Sequence, residues 1–114
     1  MQEKEAIEIK IEMPKTPGIY EIGDVVVVRG DEYIKKVASA LSSLTRLKIL
    51  RFLRNRGANV GEAAELISQS KANASAQIRI LESAGLVKSV YEPGKRGVKK
   101  ISKTNVRKII ILID

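Results

Sequence analysis

At Gly85 the hydrophobic period of this chain changes, and no other feature restricts the fold as much. Before it, apolar residues recur at helical spacing in four successive segments; after it, they follow extended spacing. Ile34, Val37, Ala38 and Leu41 fall at i, i+3, i+4 and i+7, a single apolar stripe with Asp31 as its expected N-cap. Thr45 is the expected N-cap of a second helix. Leu47, Leu50 and Leu53 form its inner face, widened by Leu44, Ile49 and Phe52. Lys48 and Arg51 mark its outer side, Arg46 and Arg54 reach water near its ends, and Gly57 closes it. A short third helix is expected over residues 61–68, with Ala64, Leu66 and Ile67 inward. Gln69 and Ser70 make a turn, and Ser70 caps a fourth helix that runs to Ala84. Residues 86–91 then read as a strand, 92–97 as a turn and 98–101 as the returning strand, a β-hairpin with a basic tip.

The flanks read as extended. Residues 7–11, Ile-Glu-Ile-Lys-Ile, alternate apolar and charged side chains, which predicts a half-solvated strand; Pro14, Pro17 and Gly18 follow as breaks. Residues 25–28 are a β-branched run stopped by Arg29 and Gly30. In the stretch after Thr104, Val106, Ile109, Ile110 and Ile113 fit a helical stripe, but four isoleucines among residues 109–113 favour a strand, expected to pair with an N-terminal one. The expected fold is therefore α+β, mainly α: a winged helix-turn-helix with a β-hairpin wing and extra N- and C-terminal strands. Residues 1–30 are expected to form an extension with strands, 31–103 the winged helix-turn-helix domain, and 104–114 a strand or short helix that contributes a dimer contact.

Composition narrows the chemistry. The 114 residues contain neither cysteine nor histidine, so disulfides, thiolate or imidazole metal sites and the commonest general base are missing. There is no phosphate loop either: Gly94-Lys95-Arg96-Gly97 lacks the required spacing. An enzyme is thus the least favoured class, and no cofactor is expected. The longest apolar run, residues 109–113, is far shorter than a bilayer span, and residues 1–10 lack a signal-peptide core; a soluble, cytoplasmic protein without a membrane partner is expected. Fifteen isoleucines with abundant Lys, Arg and Glu suggest a thermophilic, archaeal source.

The charge is unevenly placed. Residues 1–69 carry eleven basic and ten acidic side chains, whereas residues 70–109 carry ten basic and two acidic, so this stretch alone accounts for the net charge of +8. Such a concentration on a small domain points to a polyanion. On the fourth helix, Ala74, Ile78 and Leu81 share the buried face and Ala72, Ala76 and Arg79 the opposite one; Asn73 lies on a flank, Lys71 in the first turn and Gln77 nearer the core edge. Alanines let a helix approach base edges closely, Asn and Gln read adenine, and Arg reads guanine or clamps a phosphate. Free N–H groups after Ser70 suit a phosphate as well. Ala, Gln and Arg are also good helix formers, so the helix alone leaves an ordinary solvated surface open. The hairpin tips the balance: Lys95 and Arg96 sit between glycines, and Lys99, Lys100 and Lys103 follow, a layout suited to the DNA backbone and minor groove.

Three segments together resemble the ArsR-type winged helix-turn-helix regulators: Ala-Leu-Ser-Ser-Leu-Thr-Arg-Leu-Lys-Ile-Leu-Arg-Phe-Leu from Ala40, residues 59–70, and residues 73–87 ending Leu81-Glu82-Ser83-Ala84-Gly85-Leu86-Val87. The resemblance spans roughly residues 34–103 and implies dimers on pseudo-palindromic operators, with residues 71–84 in the major groove. Three departures stand out. Ser43-Leu44 replace the usual Asp-Pro, Ala76-Gln77 occupy positions that often hold histidine, and the thiolates and imidazoles of metal-sensing members are missing, which leaves only an all-carboxylate site for a metal effector. Residues 1–30 are also outside the family pattern.

The expected function is a sequence-specific, double-stranded DNA-binding transcriptional regulator, a homodimer that acts as a repressor. Its expected contacts are Ser70, Lys71, Ala72, Asn73, Ala76, Gln77 and Arg79 on the helix and Lys95, Arg96, Lys99 and Lys100 on the wing. One alternative is a nucleoid-associated coating protein with weak sequence preference, which the alanine-rich reading face would suit. Another is a protein-interaction module of a larger assembly, whose basic surface meets an acidic partner.

Overall fold

The computed structural model describes residues 12–114, so the strand expected at residues 7–11 lies outside the described residues. The element order is β1 (Gly18–Ile22), β2 (Val25–Arg29), α1 (Asp31–Leu41), α2 (Leu44–Asn55), α3 (Val60–Ile67), α4 (Lys71–Ser83), β3 (Lys88–Gly94), β4 (Gly97–Lys103) and β5 (Lys108–Leu112). This is the α+β winged helix-turn-helix that the change of period at Gly85 predicts.

The helices bury the stripes their sequences carry. Val37, Ala40, Ile49, Leu53, Ala74, Ile78 and Leu81 are buried in one core, closed by Leu86 and Val87. Alanine at 40, 63, 64 and 74 lets the backbones come close, and the larger Ile49, Leu53 and Leu81 fill the space between them. At the end of α4, Gly85 has φ 75°, and a Cβ there would stand 3.0 Å from Ile19 Cγ2. Glycine meets both the left-handed backbone and the close approach of β1.

Several local expectations are corrected. Gly30, not Asp31, is the N-cap of α1, and Asp31 begins the helix, where its carboxylate faces the positive end of the helix dipole. Ala38 is exposed and Ala40 takes its place in the core. Ser43, not Thr45, caps α2, its Oγ accepting from the Arg46 N–H at 3.2 Å. Leu44 therefore falls at the first position of α2 and is 87% exposed instead of widening the buried face. The third helix starts one residue earlier than expected, because Asn59 and Glu62 form a capping box ahead of it. Ser70 caps α4 as expected, accepting from the Asn73 N–H at 3.0 Å.

The wing strands are longer than the sequence suggests. They pair antiparallel from Lys88↔Lys103 to Gly94↔Gly97, which leaves only Lys95 and Arg96 in the turn. Glu92 and Pro93 lie within β3, not in the turn, and Leu86 and Val87 form a buried connection before it. At the base of the wing, Ala58 in the α2–α3 connection exchanges two backbone hydrogen bonds with Ser102, at 3.0 and 2.9 Å.

The ambiguous segment after Thr104 is a strand. β5 runs parallel to β2, from Val25↔Lys108 to Arg29↔Leu112, and β1 pairs antiparallel on the other side of β2. Val26 and Val28 of this sheet, with the half-buried Ile19 and Ile109, pack into the helical core. Residues 18–29 and 108–112, far apart in the chain, thus form one sheet behind α1.

Candidate nucleic-acid interface

The side chains of α4 leave the helix in four directions. Ala74, Ile78 and Leu81 enter the core. Lys71, Ala72 and Arg79 are exposed. Ser75, with Lys71, lines a cleft of about 370 Å³ between α4 and β4, whose opposite wall includes Val98, Lys99 and Lys100. Ala76, half-buried, lines a second and shallower groove with Arg79, Ile80 and residues of α1, among them Lys35 and Lys36.

Asn73 and Gln77 are committed to neighbours within the protein. Gln77 Oε1 accepts from Arg46 Nη1 at 2.7 Å, and Gln77 Nε2 donates to Asn73 Oδ1 at 3.3 Å. Arg46 also donates through Nε to the Ala40 carbonyl at 2.8 Å and through Nη2 to the Ser39 carbonyl at 3.0 Å. The expectation that Arg46 simply reaches water is thereby corrected: it is half-buried and ties the end of α1 and the start of α2 to the middle of α4. Bonds from a guanidinium to carbonyl oxygens are charge-assisted, and its planar fork serves several acceptors at once.

The wing is fixed to α4 at its base and free at its tip. Glu82 of α4 accepts a short hydrogen bond from Ser89 Oγ and lies 3.6 Å from Lys100 Nζ, while Ser89 and Ser102 join across the hairpin at 2.8 Å. Lys95, Arg96 and Lys99 are exposed, and the two tip cations occupy the whole two-residue turn. The structure thus brings Lys71, Lys99 and Lys100 to one cleft and places Lys95 and Arg96 farther along the same hairpin.

Sequence reasoning omitted Ser75, Lys35 and Lys36 from this surface. Ser75 had a detectable signal, since it follows Lys71 by one helical turn. The lysines of α1 had none, because their proximity to Arg79 depends on how α1 packs on α4. Among the described residues, no group of three or more His, Cys, Asp or Glu side chains could hold a metal, and no helix is long and apolar enough to cross a membrane.

Residues 41–90 match the family model of a helix-turn-helix domain. Comparison with curated proteins gives no match. Among solved structures, the chain is similar to the homodimeric winged helix-turn-helix DNA-binding domain of a Mycobacterium bovis protein described as a possible ArsR-family transcriptional regulator. The TM-score is 0.57 at 27% identity, over 65% of each chain; the crystal structure of the same fragment gives the same score and identity, over 75% of its chain. A transcriptional regulator homologue from Pyrococcus horikoshii is also similar, with a TM-score of 0.51 at 26% identity over 65% of this chain and 76% of its own. The chain therefore carries a winged helix-turn-helix domain similar to those of transcriptional regulators.

Proposed function

We propose that this chain is a non-enzymatic transcriptional regulator that binds double-stranded DNA as a homodimer. In this reading, residues 31–103 are the DNA-binding domain, α4 enters the major groove, and the wing lies along the backbone and minor groove. The observation that carries it is the joint lining of one cleft by Lys71 of α4 and Lys99 and Lys100 of β4, with Lys95 and Arg96 beyond it at the tip. Cations on two elements separated by a cleft suit the two sides of a phosphate backbone. Lys71, Ala72, Ser75 and Arg79 would face the bases, with Ser70, Asn73, Ala76 and Gln77 at the margins of the contact. Dimerisation is supported by the homodimeric Mycobacterium bovis domain. Its site of action would be nucleoid DNA in the cytoplasm.

A second reading, a coating protein with weak sequence preference, is favoured by one observation. Asn73 and Gln77, the two amides best suited to read adenine, are engaged with each other and with Arg46. Selection of binding sites from random duplexes separates the two. A palindromic consensus supports the regulator; recovery of no consensus, with equal affinity for all duplexes at matched salt, supports the coating protein.

A further inference from the structure

Cations flank α4 on two sides, and only one flank belongs to the wing. Ala72 and Arg79 lie on the outer face of α4, away from the buried Ala74, Ile78 and Leu81. Taking about 100° per residue, Lys71 and Ser75 fall to one side of the line through Ala72 and Arg79, where they line the cleft against β4. Ala76 and Ile80 fall about as far to the other side and line the groove against α1, whose far wall carries Lys35 and Lys36. Both lysines are exposed. Among the described residues, neither they nor Arg79 has an ion pair or a side-chain hydrogen bond, whereas Arg56, Lys88 and Lys100 each have a carboxylate partner. The charges lining this groove are Lys35, Lys36 and Arg79 against Glu32, an excess of two positive charges. The wall is also held in place. Val37 and Ala40 of α1 are buried, and Arg46 ties the Ser39 and Ala40 carbonyls to Gln77 of α4.

We propose that Lys35 and Lys36 hold the phosphate backbone on the side of α4 away from the wing, so that α4 lies between two cationic walls, one for each backbone bordering the major groove. The proposal rests on the reading of α4 as the major-groove helix and adds the element that meets the second backbone. A major groove about 12 Å wide just admits a helix about 10–12 Å across, and a phosphate backbone then runs along each flank of that helix. The wing brings Lys99 and Lys100 to one flank. On the other flank α4 itself offers Ala76 and Ile80, which attract no phosphate, and the cations come from α1. Lysine suits this place, because a flexible point charge follows a phosphate without demanding a particular base beside it. These contacts would fix the depth and tilt of α4 in the groove and carry no sequence preference of their own.

Salt titrations of full-chain variants on a random-sequence duplex test this. Lys35→Ala with Lys36→Ala should weaken binding about 5- to 10-fold near physiological salt and lower the slope of log K against log salt by roughly one to two units. Lys48→Ala with Arg51→Ala removes two exposed cations of α2 that line neither groove, and should move the slope by less than roughly half a unit. Joined to Lys95→Ala and Arg96→Ala, the α1 pair should add its full loss to that of the wing, because contacts to separate backbones are independent. All these side chains are exposed, so helical circular dichroism should stay unchanged. Suppose the wild-type chain binds duplex DNA. A slope that the α1 pair leaves unchanged, an equal fall for the α2 pair, or a combined loss no larger than that of the wing alone would each overturn the second wall and leave the major-groove reading standing. A wild-type chain that binds no duplex even at low salt would overturn both.

Discussion

Arg46 Nη1 donates to Gln77 Oε1 at 2.7 Å, a bond that joins the first turn of α2 to the middle of α4 across 31 residues of sequence. The same guanidinium donates to the Ser39 and Ala40 carbonyls at the end of α1, so one side chain bridges three helices.

Replacing Arg46 with alanine should therefore lower stability by about 2–4 kcal/mol, reduced from the sum of three charge-assisted bonds because the group is half-buried. Chemical denaturation measures this. Arg46→Lys should recover little, since an ammonium lacks the planar fork. A loss below the ~0.5 kcal/mol of ordinary surface changes would show that the network is incidental.

Gly85→Ala should destabilise the domain by about 1–2 kcal/mol, because alanine at φ 75° is strained and its Cβ would crowd Ile19 Cγ2 at 3.0 Å. Thermal unfolding of the purified variant tests this, and an unchanged midpoint would contradict it.

Lys95→Ala combined with Arg96→Ala should weaken binding to all duplexes about equally, with the fold intact. Both side chains are exposed in the two-residue turn. By counterion release the slope of log K against log salt should fall by roughly one to two units. A salt titration with an unchanged slope would remove the wing tip from the backbone contact.

Base reading should divide the residues of α4. Arg79→Ala should lower affinity for a selected site by about 1–3 kcal/mol relative to random duplex while leaving the unfolding midpoint unchanged, because Arg79 is exposed. Gln77→Ala should instead lower stability, by about 0.5–1.5 kcal/mol, through the lost bond to Arg46. Ser75→Ala should alter preference at one position with no loss of fold. Each variant is compared on a selected site and on random DNA at matched salt; if the ratio of affinities moves for none of them, α4 is not a sequence reader.

The sequence alone determined the architecture. Four helical stripes, a glycine stop at Gly85 and a basic hairpin allow few alternatives, because each stripe must bury its own face and the short connections keep neighbours adjacent. Ser70 was readable as a cap, since its hydroxyl answers N–H groups only three residues away. The strand character of residues 108–112 was readable from the isoleucines, as β-branched side chains suit a pleated surface. Tertiary structure alone decided the rest. Ser43 and Thr45 are both good caps, and the start of α2 was settled by how that helix packs on its neighbours. Gln77 and Asn73 look like base readers in a helical projection, but an arginine 31 positions before Gln77 holds its carbonyl oxygen, and the Gln77 amide in turn donates to Asn73. Lys71 and Lys99 share a cleft only because the wing folds back beside α4 through Glu82, Ser89 and Ser102. Local patterns are set by periodicity and capping, which act within a few residues. A binding surface is set by side chains that meet across elements, and their meeting depends on packing that no local pattern encodes.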